Sequence, residues 1–385
     1  MRGERLSIAY VHYGAQSGVT AAMSDALARR GHDVLLVAAT GSLEPRDPVT
    51  RRLRPAPAVA LHLAFAAARF GRLALAHRWN TPYAWDRHAR RAGELLASIR
   101  PAPDLVLQNG ALFSPGLTPR LPYALLLDHT RALAVRSPPW PRLGLEPPSD
   151  YGPAWRARET ALYRGARLVA AFSEYVRGSL VDDYGVDPSR IAVVGAGANV
   201  FPEEPARRDD GRTVLFIGRD FARKGGPVLL EAFVRLRRSF PRARLLVAGP
   251  PAPLPLPEGA FHLGPVAPEE VVGLMAQATV FALPTLREPF GIAFLDAMAC
   301  AVPCVGTRIE AIPEIVLDGE TGLLTPPADA VALACALERI LDDPLRARAM
   351  GVRGRARVAG RFRWARVAAR LERALLRGAS RGAAA

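Results

Sequence analysis

Residues 283–326, LPTLREPFGIAFLDAMACAVPCVGTRIEAIPEIVLDGETGLLTP, constrain this chain more than any other stretch. They read as the end of a strand, a tight turn at Glu288-Pro289-Phe290-Gly291, and a helix from about Ile292 to Ala301. Ile292, Leu295, Met298 and Ala299 recur at helical spacing, so one face of that helix belongs in a core. Pro303 stops it, and Val305 leads into the next short strand. Two acids bracket the helix start, Glu288 just outside it and Asp296 about one turn inside. Gly291 removes a side chain where unpaired backbone N–H groups converge, which makes Phe290-Gly291-Ile292 a seat for phosphate. The competing reading is that acids near a helix start only complement its dipole.

The rest of the chain repeats this strand–turn–helix grammar. Short apolar runs suited to buried parallel strands fall at Leu6–Val11, 33–39, 105–108, 123–127, 168–172 and 191–194. Others fall at 213–218, 245–248, 261–263, 280–283 and 303–305, alternating with helical periodicity. In the first half a glycine loop with Ser17 and Gly18 follows the first strand, and Thr20 is the expected cap of a helix ending at Gly31. That loop lacks a full Gly-x-Gly-x-x-Gly, so a dinucleotide fingerprint is not supported. Asp128-His129-Thr130 ends another strand, where catalytic groups of open α/β sheets gather, and His129 is the candidate there. Residues 131–153 read as an irregular Pro-rich loop and 202–211 as a polar linker. Gly218-Arg219 and Lys224-Gly225 flank the mouth of a strand–loop–helix unit, so two cations could clamp a diphosphate against the helix start near Gly291.

With 385 residues, half of them apolar, the chain can build two cores without disulfides. Cys300, Cys304 and Cys335 show no metal-like spacing, which points to a reducing cytoplasm. The N-terminus enters a strand directly instead of a signal peptide, and charges interrupt every run that could span a membrane. A net charge of +15 looks like a nucleic-acid footprint. The cations are 50 arginines and one lysine, Lys224, among abundant Ala, Gly and Pro, the mark of GC-rich coding. No nucleic-acid module or interleaved stacking residues accompany them, so no nucleic-acid partner is expected. A single ammonium kept where arginine is the default marks Lys224 as a wanted point charge. Between Arg51 and Arg91, nine arginines and three histidines face one acid, Asp86, among Leu61, Phe65, Phe70, Leu73 and Trp79. Two helices, about 58–78 and 82–98, carry them. They read either as a surface for an anionic membrane or as ordinary helices with a basic rim.

The 283–326 stretch resembles the donor-binding signature of the retaining, GT-B-fold glycosyltransferases of family 4: Glu, seven residues, Glu, then Pro-Glu-Ile-Val ahead of Asp-Gly-x-x-Gly-Leu-Leu. Pro313-Glu314-Ile315-Val316 and Asp318-Gly319-Glu320-Thr321-Gly322-Leu323-Leu324 stand in register. The chain departs twice: the second Glu is Asp296, and the paired glycines before Pro-Glu are Glu310 and Ala311. The resemblance implies an α/β, GT-B architecture of two Rossmann-like, doubly wound domains facing an interdomain cleft. Their expected bounds are 1–201 and 212–360, with a terminal helix at 361–378 crossing back and a frayed tail at 379–385. It implies that Glu288 orients the donor sugar's hydroxyls and Asp296 accepts from ribose. Arg219 and Lys224 would hold the leaving phosphates, Ser17-Gly18 would line the cleft, and His129 would face the sugar.

The expected activity is therefore retaining, metal-independent transfer of a sugar from a nucleotide diphospho-sugar to an acceptor hydroxyl, with no cofactor. A phosphate oxygen of the donor would take the acceptor's proton. The alternative is a relative that binds sugar nucleotides with the same fold but turns over weakly or not at all. Sugar, base and acceptor are not legible. The expected location is the cytoplasm, with 51–91 touching the inner face of the membrane.

Overall fold

The computed structural model describes residues 5–14, 16–40, 57–75, 77–115 and 121–382. Residues 51–56 of the basic stretch, and residues 383–385 of the expected tail, lie outside the described residues. Two compact units emerge. One holds residues up to 136, 148–195 and from 368 onward; the other holds 137–147 and 196–367. The sequence places these boundaries at 201 and 212; in the structure the second unit starts at 196 and also takes in 137–147.

The first unit is built on β1 (Ser7–His12), β2 (Asp33–Ala38), β3 (Leu105–Asn109), β4 (Tyr123–Leu127), β5 (Leu168–Ala171) and β6 (Ile191–Val193). They pair in the order β2-β1-β3-β4-β5-β6, all parallel. Every residue of β3 and β5 is buried, which is why these strands read as continuous apolar runs and not as alternations. Helices α1 (Val19–Ala28), α2 (Pro57–Phe70), α3 (Pro82–Ser98), α4 (Arg131–Arg136), α5 (Pro153–Gly165) and α6 (Glu174–Asp182) connect them. Trp85 of α3 packs edge-on against Trp155 of α5 in the core.

The second unit repeats the plan with β7 (Thr213–Ile217), β8 (Arg244–Ala248), β9 (Ala260–Gly264), β10 (Val280–Leu283), β11 (Cys304–Thr307) and β12 (Gly322–Thr325). Their order is β12-β11-β10-β7-β8-β9, again all parallel. Helices α7 (Gly226–Ser239), α8 (Val271–Gln277), α9 (Ile292–Ala299), α10 (Ile312–Ile315), α11 (Ala330–Asp342) and α12 (Pro344–Arg361) complete it, and α13 (Trp364–Gly382) ends the described chain. Two doubly wound α/β sheets are what the sequence led us to expect.

Several elements differ locally from the sequence reading. Thr20 is not the cap of α1: Gly18 occupies that position with φ 86°, and the Thr20 hydroxyl donates to the Gly14 carbonyl at 2.8 Å. Residues 131–153 are not wholly irregular, because Thr130 Oγ1 accepts from Leu133 N–H and starts α4. The expected 58–78 helix ends at Phe70, followed by a single 3-10 turn at Gly71–Leu73. Pro303 and Arg361 lie outside the elements they were expected to open, and α13 continues to Gly382, beyond the 378 at which fraying was expected. No helix among the described residues is long and apolar enough to cross a membrane.

Candidate functional site

In an open parallel sheet the chain winds outward in two directions, and ligands bind beyond the carboxyl ends of the strands where the direction reverses. In the second unit the chain runs β7, β8, β9 one way and β10, β11, β12 the other, so the reversal lies between β7 and β10. The loops after these two strands carry the sequence candidates.

After β7 the chain passes Gly218 and Arg219 and reaches Lys224 before α7. Gly225 must be glycine there: its φ is 73°, and a Cβ would lie 1.8 Å from the Pro284 carbonyl oxygen. That close approach brings the 219–225 loop onto the loop after β10. Buried Thr285 donates its hydroxyl to the Arg223 carbonyl at 3.1 Å, and Leu286 N–H donates to the same oxygen at 2.9 Å. The consequence is an ion pair between Lys224 Nζ and Glu288 Oε2, two candidates 64 residues apart in sequence. Glu288 is only 6% exposed. Its nearest other cation is Arg223, with Nη1 3.9 Å from the same carboxylate oxygen. Gly218 lies under the Lys224 side chain, where a Cβ would meet its Cγ at 3.0 Å.

Arg219, the other cation expected to hold the donor's phosphates, stands apart from the Lys224–Glu288 pair. It is exposed and forms no ion pair among the described residues, whereas its neighbour Arg223 is tied to Asp220 and to the Arg287 carbonyl. Sequence reasoning passed over Arg223 because nothing local separates it from its many arginine companions.

The start of α9 carries no side-chain cap, and Gly291 precedes it with φ 105°. The same holds at Gly225 before α7, whereas α11 and α12 are capped by the carboxylates of Asp329 and Asp343. Uncapped first-turn N–H groups are anion donors. Phe290 is buried with its ring edge-on to Phe362, which fixes the turn from below, and Ile292 is half-buried.

Asp296 has partners that periodicity could not show. Its Oδ1 accepts N–H bonds from Asn199 at 2.7 Å and Val200 at 3.1 Å. Burial pushes its carboxyl up to about 6, against the pull of those two N–H groups. Glu310, the other departure, sits after β11 with φ 47°, a left-handed conformation in which glycine is at ease. Its Oε2 accepts the Glu288 N–H and its Oε1 accepts the Ser137 hydroxyl at 3.0 Å. Burial, and then the Glu288 charge, hold its carboxyl above the ordinary value, opposed by those two hydrogen bonds. The sequence marked Glu310 as a departure from the family pattern but showed neither its partners nor Ser137, which lies 173 residues away.

The first unit's candidates stand at its own reversal, between β1 and β3. Gln16, Ser17 and Gly18 take successive positive φ values of 46°, 56° and 86°. Such conformations persist only where the surroundings over-determine them. Here Thr20 binds the Gly14 carbonyl, and Asn109 at the end of β3 lies 3.5 Å from the Thr20 hydroxyl. His129 follows β4, one strand further on, half-buried beside Tyr175 with ring centroids 6.4 Å apart.

The basic 51–91 region is described only from 57, without residue 76. Leu61 and Phe65 are each about half exposed and share a face with exposed Arg69; Leu73 and Leu75 are exposed beyond them. Two of its three histidines do not belong to that surface. His62 and His88 are buried, and burial with the neighbouring His62 pushes His88 down to about 4.

The chain matches the family profiles described as Glycosyltransferase Family 4 over residues 16–200 and Glycosyl transferases group 1 over residues 211–343. A D-inositol 3-phosphate glycosyltransferase of Corynebacterium efficiens is 33% identical over 219 residues, covering 49% of this chain and 52% of that protein. The chain spans about half the length of the curated relatives it matches. Among solved structures, sucrose-phosphate synthase from Thermosynechococcus elongatus superposes with TM-score 0.72 at 22% identity, covering 99% of this chain and 100% of that one. Anabaena HepE, solved in complex with UDP-glucose, gives TM-score 0.64 at 15% identity, covering 96% and 99%. The likeness to these structures is one of fold, the GT-B arrangement of two parallel six-stranded sheets. With both halves matched, this chain belongs to the family 4 glycosyltransferases, the glycosyl transferases group 1.

Proposed function

We propose that the chain transfers a sugar from a nucleotide diphospho-sugar to an acceptor hydroxyl, with retention at the anomeric carbon and without a metal ion. The observation that carries this reading is the Lys224–Glu288 pair at the reversal of the second sheet, beside the uncapped start of α9. Breaking the bond between the anomeric carbon and the phosphate oxygen leaves negative charge on a nucleoside diphosphate. A fixed ammonium and helix-start N–H groups stabilise such charge where it develops, without reorganising. Lys224 and the Phe290-Gly291-Ile292 turn take that role, with Arg219 the exposed cation that meets the phosphates on arrival. Glu288 accepts from the sugar's hydroxyls and holds Lys224 in place. Asp296 accepts from the ribose while the Asn199 and Val200 N–H groups fix its rotamer. The acceptor oxygen bonds to the anomeric carbon, and its proton passes to a phosphate oxygen of the departing group. HepE, of the same fold, is solved with UDP-glucose, which supports a nucleotide sugar as donor.

A second reading concerns the acceptor. The exposed Leu61, Phe65, Leu73 and Leu75 lie among arginines on a nearly acid-free stretch, the composition of a face that rests on an anionic bilayer. On that reading the acceptor is presented at the membrane surface.

The test of the donor assignment is a thermal-shift series with UDP-, GDP- and ADP-sugars in EDTA. A ligand of the folded state raises the midpoint by mass action, and one nucleotide sugar should do so where its free sugar does not. No shift with any of them contradicts the proposal.

A further inference from the structure

Glu310 stands in a backbone conformation suited to glycine, with φ 47°, and yet carries a long charged side chain. The conformation alone gives no reason for a glutamate. Its contacts do. One carboxylate oxygen receives the backbone N–H of Glu288, the residue paired with Lys224, and the other receives the hydroxyl of Ser137 at 3.0 Å. Ser137 opens the 137–147 segment, which the chain contributes to the second unit from its first half. The same segment is tied a second time to the turn, where Arg287 Nη2 reaches the Glu146 carbonyl at 3.4 Å. The turn at 285–291 is therefore held from two sides: by the 219–225 loop through Thr285, and by the Glu310 carboxylate through the Glu288 N–H.

We propose that Glu310 is a positioning residue: its carboxylate joins Ser137 to the Glu288 backbone and thereby sets the Glu288 side chain against Lys224 for binding of the donor. The proposal rests on the reading of Glu288 as a donor contact. Its geometric half, that Glu310 holds the Lys224–Glu288 pair, stands without that reading. Neither hydrogen bond needs a negative charge. A glutamine can accept the Glu288 N–H with its amide oxygen and donate to the Ser137 hydroxyl with its nitrogen, whereas alanine and glycine can do neither. Glycine also suits the left-handed backbone, so Glu310→Gly removes the contact and relieves strain together, and its folding is not at issue.

The experiment uses Glu310→Gln, Glu310→Ala and Glu310→Gly with two readouts. Lys224 is the sole lysine, so reductive methylation with formaldehyde, followed on the peptide that contains it, reports on one side-chain amine. Glu310→Ala and Glu310→Gly should methylate about fivefold faster than the parent, by the weakening of a pair of order one hydrogen bond. Glu310→Gln should match the parent, which excludes mere loss of a nearby charge as the cause. With UDP-glucose, or whichever nucleotide sugar the parent turns over, KM should rise about tenfold in the Ala and Gly variants. Their kcat should fall as well, because a loosened Lys224 stabilises the departing diphosphate less, and Gln should restore both KM and kcat. Parent-like methylation and KM in the Ala and Gly variants overturn the proposal, as does a Gln variant as impaired as Ala. A parent that turns over no nucleotide sugar refutes the donor assignment, and the methylation rates then still decide whether Glu310 holds the pair.

Discussion

Replacing Asp296 by asparagine tests how a carboxylate at this position is accommodated. In the folded chain its carboxyl is pushed from 3.8 up to about 6, with burial outweighing the two backbone N–H bonds. Between those two pH values the unfolded chain releases a proton that the folded chain keeps. Stability therefore falls as pH rises through this window and levels off above about 6. A shift of about 2 units at 1.36 kcal/mol each gives a loss of ~3 kcal/mol at neutral pH. That figure already contains the benefit of the Asn199 and Val200 N–H bonds, since they act on the same equilibrium. An asparagine carries no charge and can keep an oxygen acceptor toward both N–H groups. Asp296→Asn should therefore match the parent near pH 4 and exceed it by ~3 kcal/mol above pH 7. Two units need not unfold together, so the measurement should be local: hydrogen exchange in increasing urea, read on peptides from α9 and β10 between pH 4 and 8. A gap that does not change with pH, or a variant less stable than the parent at pH 8, refutes the reasoning.

Lys224→Ala should lower transfer by about 10²–10³, the size of one lost stabiliser of developing charge. It should also cost about 3 kcal/mol of second-unit stability, because it strands the buried Glu288 with Arg223 as the nearest cation; denaturant unfolding with and without Glu288→Gln, which should restore stability but not transfer, checks both. Binding of the parent to acidic vesicles should be measurable by co-sedimentation at low salt and weaken past about 0.15 M, where screening reaches about 8 Å. Leu61→Glu/Phe65→Glu should abolish it, and equal indifference to neutral and acidic vesicles returns the arginines to coding composition.

The fold was legible because its signals are local. Short apolar runs marked strands buried on both faces, and Gly31, Gly225 and Gly291 marked turns that need positive φ. The Glu288–Lys224 neighbourhood was legible at the level of loops, since both sit after strands that a doubly wound order places side by side. What stayed hidden depends on contacts between remote residues. Asp296 meets the backbone of 199–200 across about a hundred residues, and Glu310 meets Ser137 across 173. Neither partner carries a periodic or compositional mark. Arg223, 3.9 Å from the Glu288 carboxylate, was not singled out, because a guanidinium's partner is set by loop geometry that spacing does not encode. His62 and His88 counted as surface charge until burial showed otherwise.

The central claim is that fixed protein groups stabilise a departing nucleoside diphosphate while the sugar keeps its configuration. Proton NMR of the reaction in EDTA tests it most directly, with the donor selected by thermal shift and water as acceptor, observed before the freed sugar mutarotates. Nucleoside diphosphate should be released at a rate unchanged by EDTA, with the first-formed sugar in the donor's own anomeric configuration. An inverted first product, or a rate that EDTA abolishes and Mg²⁺ or Mn²⁺ restores, would contradict that claim.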